Sequence, residues 1–185
     1  MKEERNRVCP VELAGSLDNR FRRLLQNPYK ILSPYVKEGM IVLDIGCGPG
    51  YFSIEMANLV GKNGKVIAAD LQEGMLWKVN DKIKGTELEK IIQLHKTEKD
   101  KINVLQKVDF ILVFYMLHEV PGKENFFKEL KNILSENGKL LIVEPPFHVS
   151  KKAFESTMNL AKNIGFAINP GFKLSMGRFA VLTHA

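Results

Sequence analysis

The sequence is poor in cysteine, with two cysteines, Cys9 and Cys47, among its 185 residues. They form neither a disulfide framework nor a zinc-binding spacing. The four histidines show no paired ligand spacing either, so we predict no metal site. Cys47 lies within a glycine-rich segment, where it is most simply a small residue that the turn tolerates.

The sequence also lacks an apolar run long enough to cross a membrane. The most apolar stretch spans about ten residues, whereas a membrane-spanning helix needs about twenty. No apolar signal-peptide core is present, so we expect a cytoplasmic location and no membrane association. Internal repeats and low-complexity linkers are missing as well. A chain of 185 residues can bury a core of its own, and we expect one domain over residues 1–185.

The excess of positive charge is small, with 27 Lys and Arg against 21 Asp and Glu and a net charge of +6. The basic residues, including Arg20, Arg22 and Arg23, are scattered and interleaved with acids. This distribution is typical of a solvated surface rather than of a nucleic-acid interface, so we do not expect nucleic acid as a partner. The sequence carries no indication of oligomeric state.

What the sequence does contain is a glycine-rich segment, Asp44–Gly50, between the apolar run Met40–Leu43 and the periodic stretch Tyr51–Ala57. This order predicts a buried strand, a tight turn and the start of a helix. Glycine is needed where φ is positive or where backbone lies against a ligand. The first amides of a helix also point toward a ligand above the strand end. We interpret the segment as a cradle for a nucleotide-type cofactor.

The glycine spacing in this segment is G-x-G-x-G, which differs from the G-x-G-x-x-G of dinucleotide-binding folds. With an acid two residues before the first glycine, it resembles the first motif of the class I S-adenosylmethionine-dependent methyltransferases. In that family the acid lies close to the amino-acid end of the cofactor. The resemblance implies S-adenosyl-L-methionine as cofactor, bound by Asp44, Gly46, Cys47, Gly48 and Gly50.

A second acid, Asp70, ends the apolar strand Lys65–Ala69, about twenty residues after the glycine segment. A carboxylate there can accept hydrogen bonds from two ribose hydroxyls, as NAD enzymes also show. The resemblance implies that Leu71 or Met75 flanks the adenine. In many family members an acid after the third strand meets the adenine amino group. The resemblance implies that Lys96 and Thr97 lie near that position here, with Glu98 or Asp100 following.

The run Val108–Val120 predicts a central parallel strand covered on both faces. Its end resembles the family's fourth-strand exit, beside the transferable methyl group. This implies that Phe114 and Tyr115 contact the cofactor and makes Tyr115, His118 and Glu119 candidate catalytic residues. Among these candidates His118 ranks first as a general base, because imidazole titrates near neutral pH. A histidine in this position is more commonly a polar strand-end residue bonded to backbone.

The following region predicts a turn at Ser135–Lys139 and a strand at Leu140–Glu144. Glu144 and His148 are further candidate bases, and the alternative is a loop that simply leaves the sheet. Nucleobase amino-methylating members carry an Asn-Pro-Pro-aromatic motif after the fourth strand. The segment Pro145–Phe147 follows the fifth strand, so it is not that motif.

Strands and helices alternate along the chain, which predicts a parallel sheet with helices on both faces. Gly165–Ile168 and Arg178–Leu182 are too close to enclose a crossover helix and should pair as an antiparallel hairpin. The resemblance implies an α/β, Rossmann-like, doubly wound, mostly parallel seven-stranded sheet with one antiparallel strand near the edge. We divide the chain into an N-terminal arm and helical lid, residues 1–38, and a cofactor-binding α/β core, residues 39–185.

The chemistry follows from the cofactor, because a sulfonium carries its own electrophilic methyl group. The protein mainly orients the acceptor and excludes water, and a base is needed only if the acceptor loses a proton. The apolar N-terminal helices favour a lid over a small-molecule pocket. That pocket would be lined by Asn19, Phe21, Leu24, Tyr29 and Tyr115.

We therefore predict S-adenosylmethionine-dependent methyl transfer to a small-molecule acceptor by in-line displacement. Two alternatives stay open. One is an RNA or protein methyltransferase that uses the same cofactor site. The other is a protein that binds S-adenosylmethionine without catalysis.

Overall fold

The structure of this chain, a computed structural model, describes residues 26–169 and 177–185. Its strands are β1 (Ile41–Ile45), β2 (Lys65–Asp70), β3 (Ile92–Lys96), β4 (Val108–Phe114), β5 (Leu134–Glu144), β6 (Phe166–Asn169) and β7 (Arg178–His184). Its α-helices are α1 (Pro28–Leu32), α2 (Tyr51–Val60), α3 (Glu73–Ile83), α4 (Lys123–Ile133) and α5 (Lys151–Ile164). Short 3-10 helices cover Glu87–Lys90 and Leu117–Glu119.

The strands form one seven-stranded sheet in the order β3-β2-β1-β4-β5-β7-β6. Strands β1 to β5 are parallel to one another, whereas β7 is antiparallel to both β5 and β6. The predicted fold class, with a single antiparallel strand beside the edge, is confirmed. The predicted final hairpin is confirmed as well, because β6 pairs with β7.

The central strands are buried on both faces, which is why they read as unbroken apolar runs rather than as alternating patterns. In β4, Phe110 and Leu112 pack in the core that α1, α2 and α3 cover. Ile111 and Val113 point the other way, into the core beneath α4 and α5. The two cores lie on opposite faces of the sheet, so helices cover both faces as predicted.

One segment differs from the sequence prediction. The residues predicted as the turn Ser135–Lys139 lie within β5, because Leu134 already pairs with Val108. The next pair along the ladder joins Phe110 to Lys139, so residues 135–138 bulge out between the two pairs. Leu134 is fully buried, and its burial keeps it in the sheet ahead of the polar bulge.

The N-terminal helix α1 begins directly after Asn27. Asn27 caps α1 by accepting a hydrogen bond from the Lys30 amide at 3.1 Å, and Pro28 is the first helical residue. The hydroxyl of Tyr51 donates to the carbonyl of Gln26 at 2.8 Å, which ties this segment to the start of α2. Tyr29 is exposed. Asn19, Phe21 and Leu24, predicted to line the pocket, lie outside the described residues, as does Cys9.

The candidate site residues lie at the edge of the sheet that is formed by the carboxyl ends of its parallel strands. Parallel register brings Ile45 beside Ala69 and Val113, and Phe114 beside Val143. The carboxyl ends of β1, β2, β4 and β5 therefore meet at that edge. Ligands of open α/β sheets bind outside such an edge.

Candidate active site

The glycine loop between β1 and α2 is closed over the end of β2. The amides of Gly46 and Cys47 both donate to the carbonyl of Ala69, at 2.8 and 3.1 Å. Gly46 has φ +70°, and a Cβ there would lie 2.8 Å from Cγ of Met116. Gly48 has φ +54°, but a Cβ there would meet no atom within 4 Å. Gly46 is thus enclosed by packing, whereas Gly48 faces open space in which a ligand could lie against the backbone.

Gly50 completes the turn. Its φ is +84°, and its amide donates to the carbonyl of Cys47 at 3.1 Å. It is the N-cap of α2 and makes no side-chain capping hydrogen bond. The N-terminal end of α2 therefore lies at the glycine loop, and a helix N-terminus suits an anionic or polar ligand group.

Asp70 is built into this loop. One carboxylate oxygen, Oδ2, accepts from the Gly48 amide at 2.9 Å, and the other, Oδ1, accepts from the Gln72 amide at 2.8 Å. Burial raises the pKa of Asp70, while these amides and the nearby Lys96 oppose the rise. A carboxylate has about four acceptor sites. The Leu71 amide also lowers this pKa by a hydrogen bond. The carboxylate therefore keeps capacity for a further donor, which fits a ribose hydroxyl.

Asp44 lies deeper, at 2 % exposure near the end of β1. Its Oδ2 accepts a hydrogen bond of 2.6 Å from the hydroxyl of Ser53, which is fully buried in the first turn of α2. Sequence reasoning missed Ser53. The available signal was its position three residues after Gly50, where the first helical turn faces back toward the strand end.

The residues predicted around the adenine lie beside Asp70. The Thr97 amide donates to the Asp70 carbonyl at 3.1 Å, and Thr97 is buried. Leu71 is half-buried, and its carbonyl accepts from the Nζ of Lys96. Met75, in α3, is 2 % exposed and offers little surface to a ligand. The structure brings these residues to one side of the loop, and their contact with the cofactor stays a prediction.

Phe114 and Tyr115 continue the site at the end of β4. The Phe114 ring lies 4.4 Å, centroid to centroid, from both Phe52 and Tyr115. Tyr115 has φ +58°, a left-handed conformation that is uncommon for a bulky residue. Its amide donates to the Val143 carbonyl at 2.8 Å, which holds this conformation in place. Such outliers concentrate at ligand sites.

His118 lies in the 3-10 turn that follows β4 and bonds to a carboxylate rather than to backbone. Its Nδ1 is 2.8 Å from Oε2 of Glu144, and its Nε2 is 4.0 Å from Oε1 of Glu119. The other oxygen of Glu144 accepts from the Leu117 amide at 3.0 Å. Glu144 thus joins the end of β5 to the turn that carries His118.

The electrostatics of this cluster favour a charged imidazole. The hydrogen bond that Glu144 accepts from His118 is the largest cause that raises the pKa of His118, and Glu119 adds to the rise. Burial and Lys123 oppose it. Burial also raises the pKa of Glu119, with His118 opposing the rise and Glu144 and Asp70 adding to it.

Two expectations about single residues can now be compared with the structure. Cys47 is buried, and burial raises the pKa of its thiol well above the usual range, so it behaves as a small packing residue. Glu144 ends β5 with a side chain only 3 % exposed, so it is an anchored group and not part of a departing loop. The His148 ring lies 5.8 Å from that of His118.

The parts of the chain that the structure describes contain no group of three or more His, Cys, Asp or Glu placed to hold a metal ion. Within the same residues, no helix is long and apolar enough to cross a membrane.

Known proteins that are similar to this chain include methyltransferases. A family profile described as a methyltransferase domain matches residues 36–170. A demethylmenaquinone methyltransferase of Lactobacillus johnsonii is 33 % identical over 132 residues, which are 69 % of this chain and 54 % of the relative. One from Bacillus cytotoxicus is 30 % identical over 109 residues, 59 % of this chain and 46 % of that protein. The chain spans about half the length of these relatives.

Solved structures include a close match in shape. A crystal structure of an S-adenosylmethionine-dependent methyltransferase from Aquifex aeolicus superposes with a TM-score of 0.82 at 28 % sequence identity. The match covers 94 % of this chain and 97 % of that one.

Proposed function

Since this chain belongs to the class I S-adenosylmethionine-dependent methyltransferase family, we propose that it methylates a small-molecule acceptor that loses a proton during the transfer. Membership confirms the resemblance inferred from the glycine segment. It also confirms that the chain is an enzyme and that S-adenosyl-L-methionine is its cofactor. Membership in a family of enzymes disfavours the alternative that the chain binds the cofactor without catalysis. The acceptor and the roles of individual residues form the proposal.

The residues at the edge of the sheet fit the cofactor. Asp70 would accept a ribose hydroxyl with the acceptor capacity that the amides of Gly48, Leu71 and Gln72 leave available. The open space above Gly48 lets a ligand approach the backbone closely. Asp44, held by Ser53, would face the amino-acid end. When bound, the cofactor supplies an electrophilic methyl group on a sulfonium that leaves as a neutral thioether.

The observation that carries the proposal for the acceptor is the His118–Glu144 pair at 2.8 Å on the edge that also carries Asp70. Methyl transfer to an already basic nitrogen needs no base, whereas transfer to a phenol or an enolisable carbon does. In this proposal Nε2 of His118 takes the proton that the acceptor loses. Tyr115 and the half-buried Glu119 line the approach and exclude water.

The relatives support an acceptor of this type. Both are named for demethylmenaquinone, whose reduced ring carries hydroxyl groups that can lose a proton. A small hydroxylated aromatic ring is therefore the acceptor class we propose for this chain. No described feature favours RNA or protein as the acceptor, since the positive charge is scattered.

Two measurements test the function. Calorimetry should show binding of S-adenosylmethionine and S-adenosylhomocysteine and none of NAD. Transfer of radiolabelled methyl groups should then be assayed with dihydroxynaphthalene, with total RNA and with a protein mixture as acceptors. Label in dihydroxynaphthalene alone supports the proposal. Label in RNA or protein alone overturns the acceptor class, although the family assignment would stand.

A further inference from the structure

Glu144 is a buried carboxylate with an unusual set of neighbours. Arg178 lies opposite Glu144 in the β5–β7 register, yet its Nε donates to the carbonyl of Val149 at 2.7 Å. The partner of Glu144 is instead a histidine that is itself 27 % exposed. A buried charge is costly unless it is paired and hydrogen-bonded. The structure satisfies Glu144 through a residue that faces the active site.

The two oxygens of Glu144 act on one short turn. Oε1 accepts from the Leu117 amide at 3.0 Å and fixes the backbone, while Oε2 lies 2.8 Å from Nδ1 of His118 and fixes the ring. An ionised carboxylate can only accept hydrogen bonds, so Nδ1 carries the hydrogen. In the neutral ring Nε2 is then the nitrogen with a free lone pair.

We propose that Glu144 is a positioning residue for methyl transfer, which holds His118 in the tautomer whose Nε2 accepts the proton of the methyl acceptor. The catalytic role of His118 rests on the function proposed above. The pairing itself does not, because it is a property of the protein without acceptor. During transfer, the acceptor's O–H or C–H bond breaks and its proton moves to Nε2. The charge of the resulting imidazolium is then stabilised by Glu144.

Among the described residues, three charged groups act on the proton affinity of His118. Glu144 on β5 and Glu119 on the same turn favour the charged ring, and Lys123 at the start of α4 opposes it. His148, in the segment after β5, lies within 5.8 Å of the ring and is a fourth titratable neighbour. Of these, only Glu144 has a hydrogen bond to His118, so its removal should have the largest effect.

The experiment titrates His118 by NMR in the protein without cofactor. Glu144→Gln keeps the shape of the side chain and removes its charge, and His118→Asn assigns the resonance. We expect a His118 pKa above the ordinary imidazole value in the wild type, with the hydrogen on Nδ1, and a lower pKa in Glu144→Gln. Glu119→Gln is the matched control, because it removes a charge 4.0 Å from Nε2, and it should lower the pKa less.

Kinetics then separate positioning from a purely structural role. Glu144→Gln should lower kcat at least about tenfold with little change in KM for the acceptor, and the acidic limb of its pH profile should move to lower pH. Glu144→Asp, which restores the charge, should recover part of kcat. Cofactor affinity close to that of the wild type shows that each variant is folded.

Two results would overturn the inference. A His118 pKa that is the same in the wild type and in Glu144→Gln would show that the pairing does not exist in solution. A lowered pKa with an unchanged kcat and pH profile would make the pair structural only. Failure of the proposed acceptor class looks different. The wild type would then bind cofactor without methylating dihydroxynaphthalene, while the titration would still decide whether Glu144 positions His118.

Discussion

Asp70 and Gly48 are joined by a hydrogen bond of 2.9 Å from the glycine amide to the aspartate Oδ2. This bond links the end of β2 to the glycine loop. A substitution at either residue should therefore change the affinity for the cofactor. This link connects two features that the sequence shows only as separate motifs, 22 residues apart.

Replacement of Asp70 should weaken cofactor binding. Asp70→Ala removes the proposed ribose acceptor and leaves the amides of Gly48 and Gln72 without their partner. The expected loss is about 1–3 kcal/mol, or about a 5- to 150-fold rise in Kd for S-adenosylhomocysteine by calorimetry.

Asp109→Asn is the matched control for that change. Asp109 also accepts a backbone hydrogen bond, from the Ile41 amide at 2.9 Å, but it lies at the amino end of β4. This variant should keep the wild-type Kd. Equal affinity of Asp70→Ala and the wild type would show that the ribose assignment is wrong.

A side chain at Gly48 should block the cofactor without unfolding the protein. Gly48→Ala places a Cβ into the open space above the loop, at a φ of +54°. Left-handed backbone costs an L-residue about 1–2 kcal/mol, so stability should fall by that amount. The folded variant should nevertheless bind the cofactor more weakly than the wild type, because the added Cβ occupies space that the cofactor needs.

Gly85→Ala is the control that separates the effect of backbone strain at positive φ from the effect of blocking the cofactor site. Gly85 has φ +74°, and a Cβ there would likewise meet no atom within 4 Å, but this glycine follows α3 at the opposite edge of the sheet. The variant should lose similar thermal stability and keep its affinity for the cofactor. If both variants bound equally well, the space above Gly48 would not be the cofactor site.

The sequence predicts what is local and misses what depends on register. The glycine loop and the strand before it were predictable because both depend on residues that are adjacent in the sequence: glycines for a turn with positive φ, and an apolar run for a buried strand. The bond between His118 and Glu144 spans 26 residues. It forms because β4 and β5 are neighbours with Phe114 beside Val143, which the sequence alone does not specify.

The contact between Asp44 and Ser53 was missed for a related reason. Serine in the first turn of a helix is commonly a cap or a solvated residue, so its type gave no reason to expect a buried partner. The bulge at residues 135–138 was missed because its polar residues read as an ordinary turn, while the preceding Leu134 stays paired in the sheet.

Loss of the Ser53 hydroxyl should destabilise the loop. Ser53→Ala removes the 2.6 Å hydrogen bond to the buried carboxylate of Asp44, and an incompletely satisfied buried group costs about 1–3 kcal/mol. Chemical denaturation should detect this loss. Thr157→Ala is the control, since its hydroxyl bonds the Ala153 carbonyl on the exposed side of α5 and should contribute less than about 0.5 kcal/mol. Equal effects of the two changes would contradict the role given to Ser53.

The His118–Glu144 pair should stabilise the fold in a pH-dependent way. The pKa of His118 is raised in the folded protein, chiefly by the hydrogen bond that the imidazole donates to Glu144. The folded state therefore holds the proton over a pH range in which the unfolded state has lost it, and stability falls as pH rises through that range. The stabilisation is complete below the unfolded imidazole pKa of about 6.5 and is lost above the folded pKa.

Glu144→Gln removes this contribution, so its difference in unfolding free energy from the wild type should be largest at about pH 6 and should shrink toward about pH 9. Denaturant titrations of both proteins at several pH values measure the difference. His184→Asn controls for the general titration of histidines, since the His184 ring bonds the Leu134 carbonyl with no carboxylate partner among the described residues. A Glu144→Gln difference that is constant with pH, or that grows as pH rises, would mean that the imidazole is not charged by its carboxylate neighbour. Glu144 would then not raise the proton affinity of His118, and the role we give to Glu144 would be wrong.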